Sequence, residues 1–354
     1  EFHRSAVRRW QGVGGSAHPP RALVYVCNPF SLCGGHGDRT NGILSAFVLA
    51  VLTDRAFFID SDSPMPLSLL LQPRRGTDGE LLVDWRLSGS ATGLTGQTFY
   101  LDDRVALQAD LDWLIRDRTP TLLISMNLRE LGAILAHPML QAKVAALGLR
   151  RLPYLVSRLW DLLFEPTPVL RERLYDGAAE LRLQGPLPWL PLNPAADRPT
   201  TTPEGPGFIG IHFRAGNESA RLWWDPERHA LGSLPSFLEC AAQAEVELGL
   251  PSTAQWFLSA DTALALSSER VVELSRRGKV VVLGDAWQLA HVDRSHISLG
   301  LRGFADSYVA YMLLASARAI ILSRSYFGET AAEVGAVPTA YFAEGCVRTD
   351  LRSS

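Results

Sequence analysis

The chain has 354 residues, of which 47% are hydrophobic and 20% charged, and a formal net charge of -3, as expected for a globular protein with two domains or one large α/β unit. Without a surplus of basic residues, nucleic acid is excluded as the main partner. The longest apolar run, ILSAFVLAVL, is about half of what a bilayer requires, so we expect no membrane contact by this segment.

The first predicted elements are a strand, a loop, a helix and a second strand between residues 21 and 60. ALVYV is an apolar strand, and RAFFID is the next one. Between them, apolar residues at helical spacing make one broad buried stripe: Ile43, Leu44, Phe47, Val48, Val51 and Leu52. The pattern predicts a βαβ unit with a right-handed crossover in a parallel sheet.

The middle of the chain is predicted to be helical and then irregular. Residues 100–180 are expected to be mostly helical, in segments interrupted by proline. Residues 182–207 contain seven prolines, which exclude a continuous helix or a central strand. We interpret this stretch as a linker or surface crossover between an N-terminal domain, residues 1–200, and a C-terminal domain, residues 205–354.

Strands and helices alternate again after the linker. The predicted strands are GFIGIHF, QWFLSA, KVVVLG, AIILS and VPTAYF, and the predicted helices cover residues 234–249, 262–277 and 303–317. This alternation implies a second doubly wound domain, so the predicted fold class is α/β with two Rossmann-like domains facing a cleft. Ligands of such sheets bind beyond the carboxyl ends of the strands, where three motifs lie.

The first motif, CGGHGDR, stands between a strand and a helix. Gly34, Gly35 and Gly37 allow the backbone to approach a ligand, and the helix that follows offers free N–H groups. The spacing is neither G-x-G-x-x-G nor a P-loop. A tight turn in which Asp38 caps the helix and Arg39 pairs with it is the structural alternative.

The second motif, GFIGIHFRAGNE, ends a very apolar strand. Alternation along a strand directs His212 and Arg214 to the same side. A guanidinium at the end of a buried strand is costly unless an anion meets it, and arginine binds phosphate in a bidentate way. A structural ion pair is the alternative. Glu218 follows in the loop as a candidate base, or as an ordinary solvated acid.

The third motif is LSRSYFGETAAEVG. A strand ends at Ser323 and Ser325, and Gly328 stands at the start of the next helix. Hydroxyl and helix N–H groups at this place suit a phosphate, although serine also serves as an ordinary helix cap.

The chain has four cysteines, Cys27, Cys33, Cys240 and Cys346. None forms a C-x-x-C pair, and no set of cysteines and histidines has zinc-ligand spacing. Cys27 and Cys33 flank a short bend, so a small-loop disulfide in an oxidising compartment is one hypothesis. Four buried or free thiols is the other.

Taken in order, these motifs resemble the α1,2- and α1,6-fucosyltransferase superfamily, most closely the plant xyloglucan-type enzymes. GDR…SAFVLAVLTDRAFFID is similar to the family's G-x-G-(N/D)-R segment and its helix, IGIHFR to its (H/Q)-x-R strand, and SYFGETAAEVGAVP to its S-T-F-G-Y-x-A-x-x-L-G segment. WDLLFEPTPVL resembles a segment between these blocks, whose order matches from residue 22 to residue 342. Tyr326 replaces the plant threonine and Glu329 the plant tyrosine, and His212 is similar to core-type and nodulation relatives.

The resemblance implies a GT-B fold and a glycosyltransferase that uses GDP-fucose as its donor substrate, without metal or other cofactor. The acceptor partner is a glycan or glycoconjugate, whose hydroxyl is linked α1,2 or α1,6. The enzymes that the chain resembles act in the Golgi lumen behind an N-terminal anchor, so the chain is expected to be the soluble part of such a protein. A bacterial cytoplasmic enzyme fits as well.

Site residues follow from the resemblance position by position. Arg214 binds the β-phosphate of GDP, and His212 lies near the nucleotide. The other substrate-binding residues carried over are Ser323, Ser325, Tyr326 and Phe327 around the phosphates, Asp261 and Asp306 toward guanine and ribose, and Gly37, Asp38 and Arg39 in the N-terminal motif facing the cleft.

The expected reaction requires charge stabilisation at the departing diphosphate, which Arg214 and helix N–H groups supply in place of a metal. The sugar passes through an oxocarbenium-like state, and the acceptor attacks from the opposite face with inversion. Glu218 is the first choice for the base because it follows Arg214 by four residues, and Asp225 is the second. Trp223 and Trp224 stack on acceptor sugars, or are core aromatics.

Two alternatives remain open at this point. Asp60-Ser61-Asp62 follows a strand and matches the D-x-D pattern of metal-dependent GT-A glycosyltransferases, in which carboxylates hold a divalent ion on the diphosphate. The other alternative is a non-catalytic protein that binds a nucleotide sugar or a glycan on the same fold.

Overall fold

The computed structural model describes residues 21–29, 33–86, 97–101, 107–127, 130–183, 207–216, 228–284, 287 and 300–349. The chain divides into two compact units, with the boundary between Glu165 and Pro166. Each unit contains a β-sheet with helices packed on it, and the strands of these sheets are parallel except for one edge strand. In the part of the chain that is described, no helix combines the length and the apolar character needed to cross a membrane.

The N-terminal unit is built on a four-stranded parallel sheet with the order β2-β1-β5-β4. Its strands, with two short ones outside this sheet, are β1 (Ala22–Cys27), β2 (Ala56–Ser61), β3 (Leu71–Pro73), β4 (Gln97–Leu101), β5 (Thr121–Met126) and β6 (Phe164–Pro166). Its helices are α1 (His36–Leu52), α2 (Leu107–Arg116), α3 (Leu131–Ala136), α4 (Gln141–Ala146) and α5 (Leu155–Leu163).

The βαβ unit predicted from the sequence is confirmed, since β1 and β2 are parallel neighbours connected through α1. The helix begins at His36, seven residues before the apolar stripe. It lies so close to the sheet that a Cβ atom on Gly42 would come within 2.0 Å of the carbonyl oxygen of Met126. Glycine at this position therefore allows the helix to pack on β5.

The prediction of a mostly helical segment over residues 100–180 is wrong in part, because β4 and β5 belong to the parallel sheet. The β5 sequence TLLISM is a short apolar run, which hydrophobic periodicity cannot distinguish from part of a buried helix. β5 pairs with β1 in parallel from Ala22 opposite Thr121 to Tyr25 opposite Ile124, and so completes the buried centre of the sheet.

The C-terminal unit is built on a six-stranded sheet with the order β12-β11-β10-β7-β8-β9, in which β12 is antiparallel and the other strands are parallel. The strands are β7 (Ile209–Phe213), β8 (Trp256–Ala260), β9 (Val280–Val281), β10 (Ala319–Leu322), β11 (Ala340–Phe342) and β12 (Val347–Thr349). The helices are α6 (Pro168–Leu181), α7 (Leu234–Glu247), α8 (Ala263–Leu266), α9 (Glu269–Arg276), α10 (Gly300–Leu314) and α11 (Tyr326–Val334).

Helix α6 packs on α10 of the C-terminal unit, although the sequence analysis placed residues 168–181 in the N-terminal domain. Thr167 caps its start through a hydrogen bond from the backbone N–H of Leu170, and Pro168 occupies the first turn. Gly177 lies against Val309 and Trp287 at 3.0 and 3.2 Å, as measured from a Cβ atom placed on it. The proline-rich stretch indicated a crossover. It did not indicate on which unit the preceding helix packs.

Both cysteine pairs form disulfides. Cys27 and Cys33, whose Cα atoms are 5.6 Å apart, close a loop directly after β1, so the small-loop hypothesis is confirmed. Cys240 on α7 bonds to Cys346, 106 residues later, with a Cα–Cα distance of 5.2 Å. The second pairing ties α7 to the segment between β11 and β12.

Candidate functional site

The sheet of the C-terminal unit brings three chain segments together at its carboxyl edge. β7 pairs in parallel with β8 on one side and with β10 on the other. The residues that follow these strands are therefore neighbours: Arg214 after β7, Asp261 after β8, and the Ser323–Ser325 segment after β10. Two of the three motifs singled out in the sequence meet here.

His212 is the last but one residue of β7 and is 4% exposed. Its Nδ1 atom lies 2.9 Å from the hydroxyl oxygen of Ser323, and its ring stacks on Phe327 with a centroid distance of 5.0 Å. Burial, followed by the positive charges of Arg214 and His229, lowers the pKa of His212 to about 3. The imidazole is therefore neutral at ordinary pH and acts as a hydrogen-bonding and packing group.

Gly328 explains why the third motif carries a glycine after phenylalanine. A Cβ atom at this position would lie 2.9 Å from Nδ1 and 3.1 Å from Cβ of His212. Real Cβ atoms do not make contacts this close to a packed ring. The missing side chain thus admits the histidine from the neighbouring strand, a role that the sequence analysis did not assign.

Ser325 caps helix α11, as the structural alternative for this motif predicted. Its hydroxyl oxygen accepts a hydrogen bond of 3.4 Å from the backbone N–H of Phe327, and its own N–H donates to the carbonyl of Ser323 at 2.8 Å. Ser325, Tyr326 and Phe327 are partly exposed, whereas Ser323 is buried. The first turn of α11 consequently lies at the surface, with its N-terminus at the carboxyl edge of the sheet.

Arg214 forms an ion pair with Asp261, with Nη1 of the arginine 3.0 Å from Oδ2 of the aspartate. The same carboxylate accepts hydrogen bonds from the backbone N–H groups of Ala215 at 2.7 Å and Gly216 at 3.0 Å. The two side chains are 13% and 15% exposed. The structure thus gives Arg214 the ion pair that was the alternative to phosphate binding, and makes Asp261 its partner.

Asp306 lies in the middle of α10 and is fully buried. Its carboxylate accepts hydrogen bonds from Nε and Nη2 of Arg173 on α6, and Nε of Arg302 is 3.9 Å from its other oxygen. The Arg173 guanidinium also lies 4.0 Å from the centre of the Trp287 ring. This interior ion pair argues against the expected contact of Asp306 with guanine or ribose.

A second charged cluster lies beside the first on the same unit. The His229 ring packs against Phe213 and Phe237, and its Nδ1 is 4.0 Å from Glu344. Glu344 also pairs with Arg324 at 2.5 Å. Burial is the largest cause that lowers the pKa of His229. These residues could not be predicted from the sequence, since a lone histidine after a loop carries no pattern.

In the N-terminal unit, the Gly34–Arg39 segment makes a capped turn. Oδ2 of Asp38 accepts a hydrogen bond of 2.8 Å from the backbone N–H of Gly35, and Gly34 has a φ of +69° that favours glycine. Arg39 is 4% exposed and donates from Nε to the carbonyl of Gly34 at 2.9 Å and from Nη1 to the carbonyl of Ser63. Gly37 lies in the first turn of α1 and is buried. The Asp38 cap of the structural alternative is therefore present, and the substrate-binding roles of Gly37, Asp38 and Arg39 stay predictions.

Asp60 and Asp62 are exposed at the carboxyl end of β2. Partial removal from water, followed by the charge of Asp62, raises the pKa of Asp60. Among the described residues, no three His, Cys, Asp or Glu side chains form a group that could hold a metal ion. The structure therefore supplies no further ligand for the D-x-D hypothesis within the described segments.

The candidate bases Glu218 and Asp225, and the neighbouring Trp223 and Trp224, lie outside the described residues. Their assignments stay predictions. The described chain stops at Gly216 and resumes at Arg228, whose N–H donates to the carbonyl of Ala215 at 2.9 Å. The two ends of this segment thus meet next to Arg214.

Comparison with known proteins identifies the fold. No model of a known protein family matches the chain, and no curated protein matches its sequence. Solved structures do match: the fucosyltransferase NodZ from Bradyrhizobium superposes with a TM-score of 0.54 at 16% identity, over 94% of this chain and 99% of that one.

Two further structures contain or were treated with nucleotide. A mutant of Arabidopsis thaliana FUT1 in complex with GDP has a TM-score of 0.58 at 14% identity, over 99% of this chain and 78% of that one. A NodZ alpha-1,6-fucosyltransferase soaked with GDP-fucose has a TM-score of 0.52 at 16% identity, over 94% and 96%. The chain therefore has the GT-B type of α/β fold with Rossmann-like units, as the sequence predicted.

Proposed function

We propose that the chain belongs to the fucosyltransferase superfamily and is an inverting, metal-independent enzyme. It transfers fucose from GDP-fucose to a hydroxyl group of a glycan or glycoconjugate, in α1,2 or α1,6 linkage. The fold shared with NodZ and FUT1 supports this proposal, since structures of those proteins were obtained with GDP or GDP-fucose.

The observation that carries the proposal is the arrangement at the carboxyl edge of the C-terminal sheet. Arg214 follows β7, and the N-terminus of α11 follows the adjacent strand β10. A guanidinium and the N–H groups of a helix start are the two donors that proteins use most readily for diphosphates. Ligands of open α/β sheets bind at this edge.

The bond changes of the reaction assign roles to these groups. The bond between the fucose C1 atom and the β-phosphate oxygen breaks, and its electrons remain on the diphosphate. Arg214 and the N–H groups around Phe327 stabilise that charge, while the acceptor oxygen forms a new bond to C1 from the opposite face. The hydroxyl proton passes to a carboxylate, for which we propose Glu218 and, second, Asp225.

The two units divide the substrates between them in this proposal. The C-terminal unit holds the donor through Arg214 and the start of α11, with His212 and Ser323 fixing the strand beneath. The N-terminal unit, with the Gly37–Arg39 turn, takes the acceptor side.

Ligand binding tests the donor assignment. Thermal unfolding is measured with GDP-fucose, GDP-mannose, UDP-glucose and free GDP, and transfer to glycans is assayed with radiolabelled donor. GDP and GDP-fucose are expected to raise the unfolding temperature, and UDP-glucose is not. Stabilisation by GDP without transfer to any glycan would favour a non-catalytic binding protein.

Substitution of Arg214 tests the role proposed for the carboxyl edge of the C-terminal sheet. Arg214→Ala is expected to lower kcat about 10²- to 10³-fold, because one preorganised donor to the developing charge is lost. Arg214→Lys keeps the charge but not the bidentate fork, and we expect it to recover only part of the rate. Turnover of Arg214→Ala close to that of the wild type would remove the arginine from the mechanism.

Metal independence is tested in excess chelator. We expect the transfer rate to stay unchanged, because a guanidinium and helix N–H groups take the place of a divalent ion. Complete loss of activity that manganese restores would favour the D-x-D hypothesis, and Asp60→Asn would then abolish the rescue.

The two disulfides bear on where the protein works. Disulfides persist in oxidising compartments and are rare in the cytoplasm of most cells. We therefore favour the Golgi lumen over a bacterial cytoplasm. Alkylation of the protein isolated from its native source, followed by mass spectrometry, would show four free thiols if this assignment were wrong.

A further inference from the structure

The carboxylate of Asp261 binds three donors that all belong to the segment of Arg214. Its Oδ1 atom accepts the N–H of Ala215 at 2.7 Å, and its Oδ2 atom accepts the N–H of Gly216 at 3.0 Å. Oδ2 also lies 3.0 Å from Nη1 of Arg214. One side chain therefore fixes both the backbone turn and the guanidinium at the end of β7.

The backbone around these residues is held in a defined form. Gly216 has a φ of +83°, a left-handed conformation that glycine adopts without strain. Two successive N–H groups that converge on one anion restrict the turn more than either hydrogen bond alone. Asp261 itself follows β8 directly, and Thr262 caps the helix after it through the N–H of Leu264. The carboxylate is thus anchored to the sheet.

We propose that Asp261 is a positioning residue that acts through Arg214, and not a ligand of guanine or ribose. This inference rests on the proposed function, in which Arg214 meets the diphosphate. By holding the guanidinium and the turn in one orientation before the donor binds, Asp261 lowers the reorganisation needed in the transition state. A misplacement of about 1 Å at such a group costs about 10²-fold in rate.

A matched control lies next to the other end of β8. Glu245 pairs with Lys279 next to Trp256, the first residue of β8, and these side chains are 13% and 15% exposed. Lys279 also donates to the carbonyl groups of Ser252 and Ala254, and Glu245 accepts from the indole N–H of Trp256. This carboxylate–cation pair has the same exposure as Arg214–Asp261 but lies at the amino edge of the sheet.

A double-mutant cycle tests the inference. Asp261→Asn keeps a hydrogen-bond acceptor for Ala215 and removes the charge that orients Arg214. We expect kcat for fucose transfer to fall about 10²-fold, with a smaller change in KM. In the Arg214→Ala background, the same substitution is expected to lower kcat less than about twofold further, because its target is gone. Asp261→Glu, which restores the charge on a longer arm, is expected to recover part of the loss.

The control substitution is Glu245→Gln. It is expected to lower the unfolding temperature while kcat stays within about twofold of the wild type, because it removes an ion pair of equal exposure away from the site. Thermal unfolding of each Asp261 variant checks that the unit stays folded. If Asp261→Asn unfolds the unit, the cycle is measured with Asp261→Glu.

Three results would overturn the inference. The first is additivity: an equal loss of kcat from Asp261→Asn with and without Arg214. The second is a raised KM for GDP-fucose with unchanged kcat in both backgrounds, which indicates a direct contact with the nucleoside. The third is tighter GDP binding by Asp261→Asn, which indicates that the carboxylate competes with phosphate. A wild-type protein that neither binds GDP nor transfers fucose would instead overturn the proposed function.

Discussion

Each unit holds an arginine beside the carboxyl ends of its parallel strands, but the partners differ. Arg39 in the N-terminal unit donates to the backbone carbonyls of Gly34 and Ser63 and is 4% exposed. Arg214 in the C-terminal unit pairs with the side chain of Asp261. An arginine whose hydrogen bonds go to loop carbonyls stabilises the loops. An arginine that a carboxylate orients holds its guanidinium N–H donors in one direction.

The disulfides of the two units differ in the same way. Cys27–Cys33 links residues six positions apart at the carboxyl edge, whereas Cys240–Cys346 links residues 106 positions apart. A short cross-link restricts a local turn, and a long one restricts the whole unfolded chain. The N-terminal edge is thus held by local bonds, and the C-terminal unit by long-range ones.

The largest expected effect follows from this difference in loop length. Replacing Cys240 and Cys346 by alanine is expected to lower the free energy of unfolding by about 4.7 kcal/mol, the value for a loop of about 100 residues. The same change at Cys27 and Cys33 is expected to cost roughly 2 kcal/mol. Urea denaturation of the two double variants measures both, and equal losses would contradict the distinction.

The two arginines should separate stability from catalysis. Arg39→Met is expected to lower the free energy of unfolding by about 1–3 kcal/mol, because the partly buried carbonyl groups of Gly34 and Ser63 lose a charged donor. Arg214→Met should cost less stability but lower kcat about 10²- to 10³-fold. Urea denaturation and initial rates are measured for both. An Arg39→Met variant of normal stability that no longer binds substrate would show that Arg39 is a substrate ligand.

The elements of the fold that depend on a local sequence pattern could be predicted. The βαβ unit was recognisable because the apolar stripe of α1 extends over three turns. The six-residue run of β5 was not, since a buried strand of that length and a helix segment have the same composition. Its place between β1 and β4 is a tertiary choice that no local pattern contains.

The residues of the candidate site also divide into those that a local pattern indicated and those that it did not. The charge of Arg214 at the end of an apolar strand pointed to an anion, and the serine before α11 pointed to a cap. The Asp261 carboxylate, 46 residues after Ala215, was assigned to the nucleoside, because only the pairing of β7 with β8 reveals its partner. The burial of Asp306 by Arg173, 133 residues earlier, was equally inaccessible.

The pH dependence of stability should differ between the two edges. The pKa of His212 is about 3 in the folded protein against 6.5 when it is unperturbed, so between these values the unfolded chain binds a proton that the folded one does not. Stability should therefore fall as the pH decreases below 6.5, by about 1.4 kcal/mol per pH unit. At the carboxyl edge of the N-terminal sheet the pKa of Asp60 is raised, so its contribution to the stability of the folded protein falls as the pH rises above 3.8.

Denaturation of the wild type and of His212→Asn between pH 7.5 and 4.5 measures the contribution of His212. The variant should lose most of the slope and retain the part that comes from His229, whose pKa is also lowered. The group faces Arg214, His229, Ser323 and Phe327. An unchanged slope in the variant would show that His212 is accessible to protons in the folded state.

The smallest expected effect concerns two helical glycines, one in each unit. Gly132 in α3 is exposed, and no atom lies within 4 Å of a Cβ atom built on it. Alanine at this position should raise the free energy of unfolding by up to about 1 kcal/mol, through helix propensity alone. Gly328 in α11 would gain the same propensity, but its Cβ atom would meet the His212 ring at 2.9 Å.

The net sign of Gly328→Ala therefore reports how firmly His212 is held. The ring has Ser323 at 2.9 Å on one side and Phe327 stacked on its face, so it cannot turn away without breaking a hydrogen bond or a ring contact. Overpacking of this kind costs about 1–3 kcal/mol, which exceeds the helix gain. We expect Gly328→Ala to be destabilised by up to about 2 kcal/mol in urea denaturation, while Gly132→Ala is stabilised. If both variants gained stability equally, the His212 ring would have room to move. That result would contradict the inference that the end of β7 next to Arg214 is rigid.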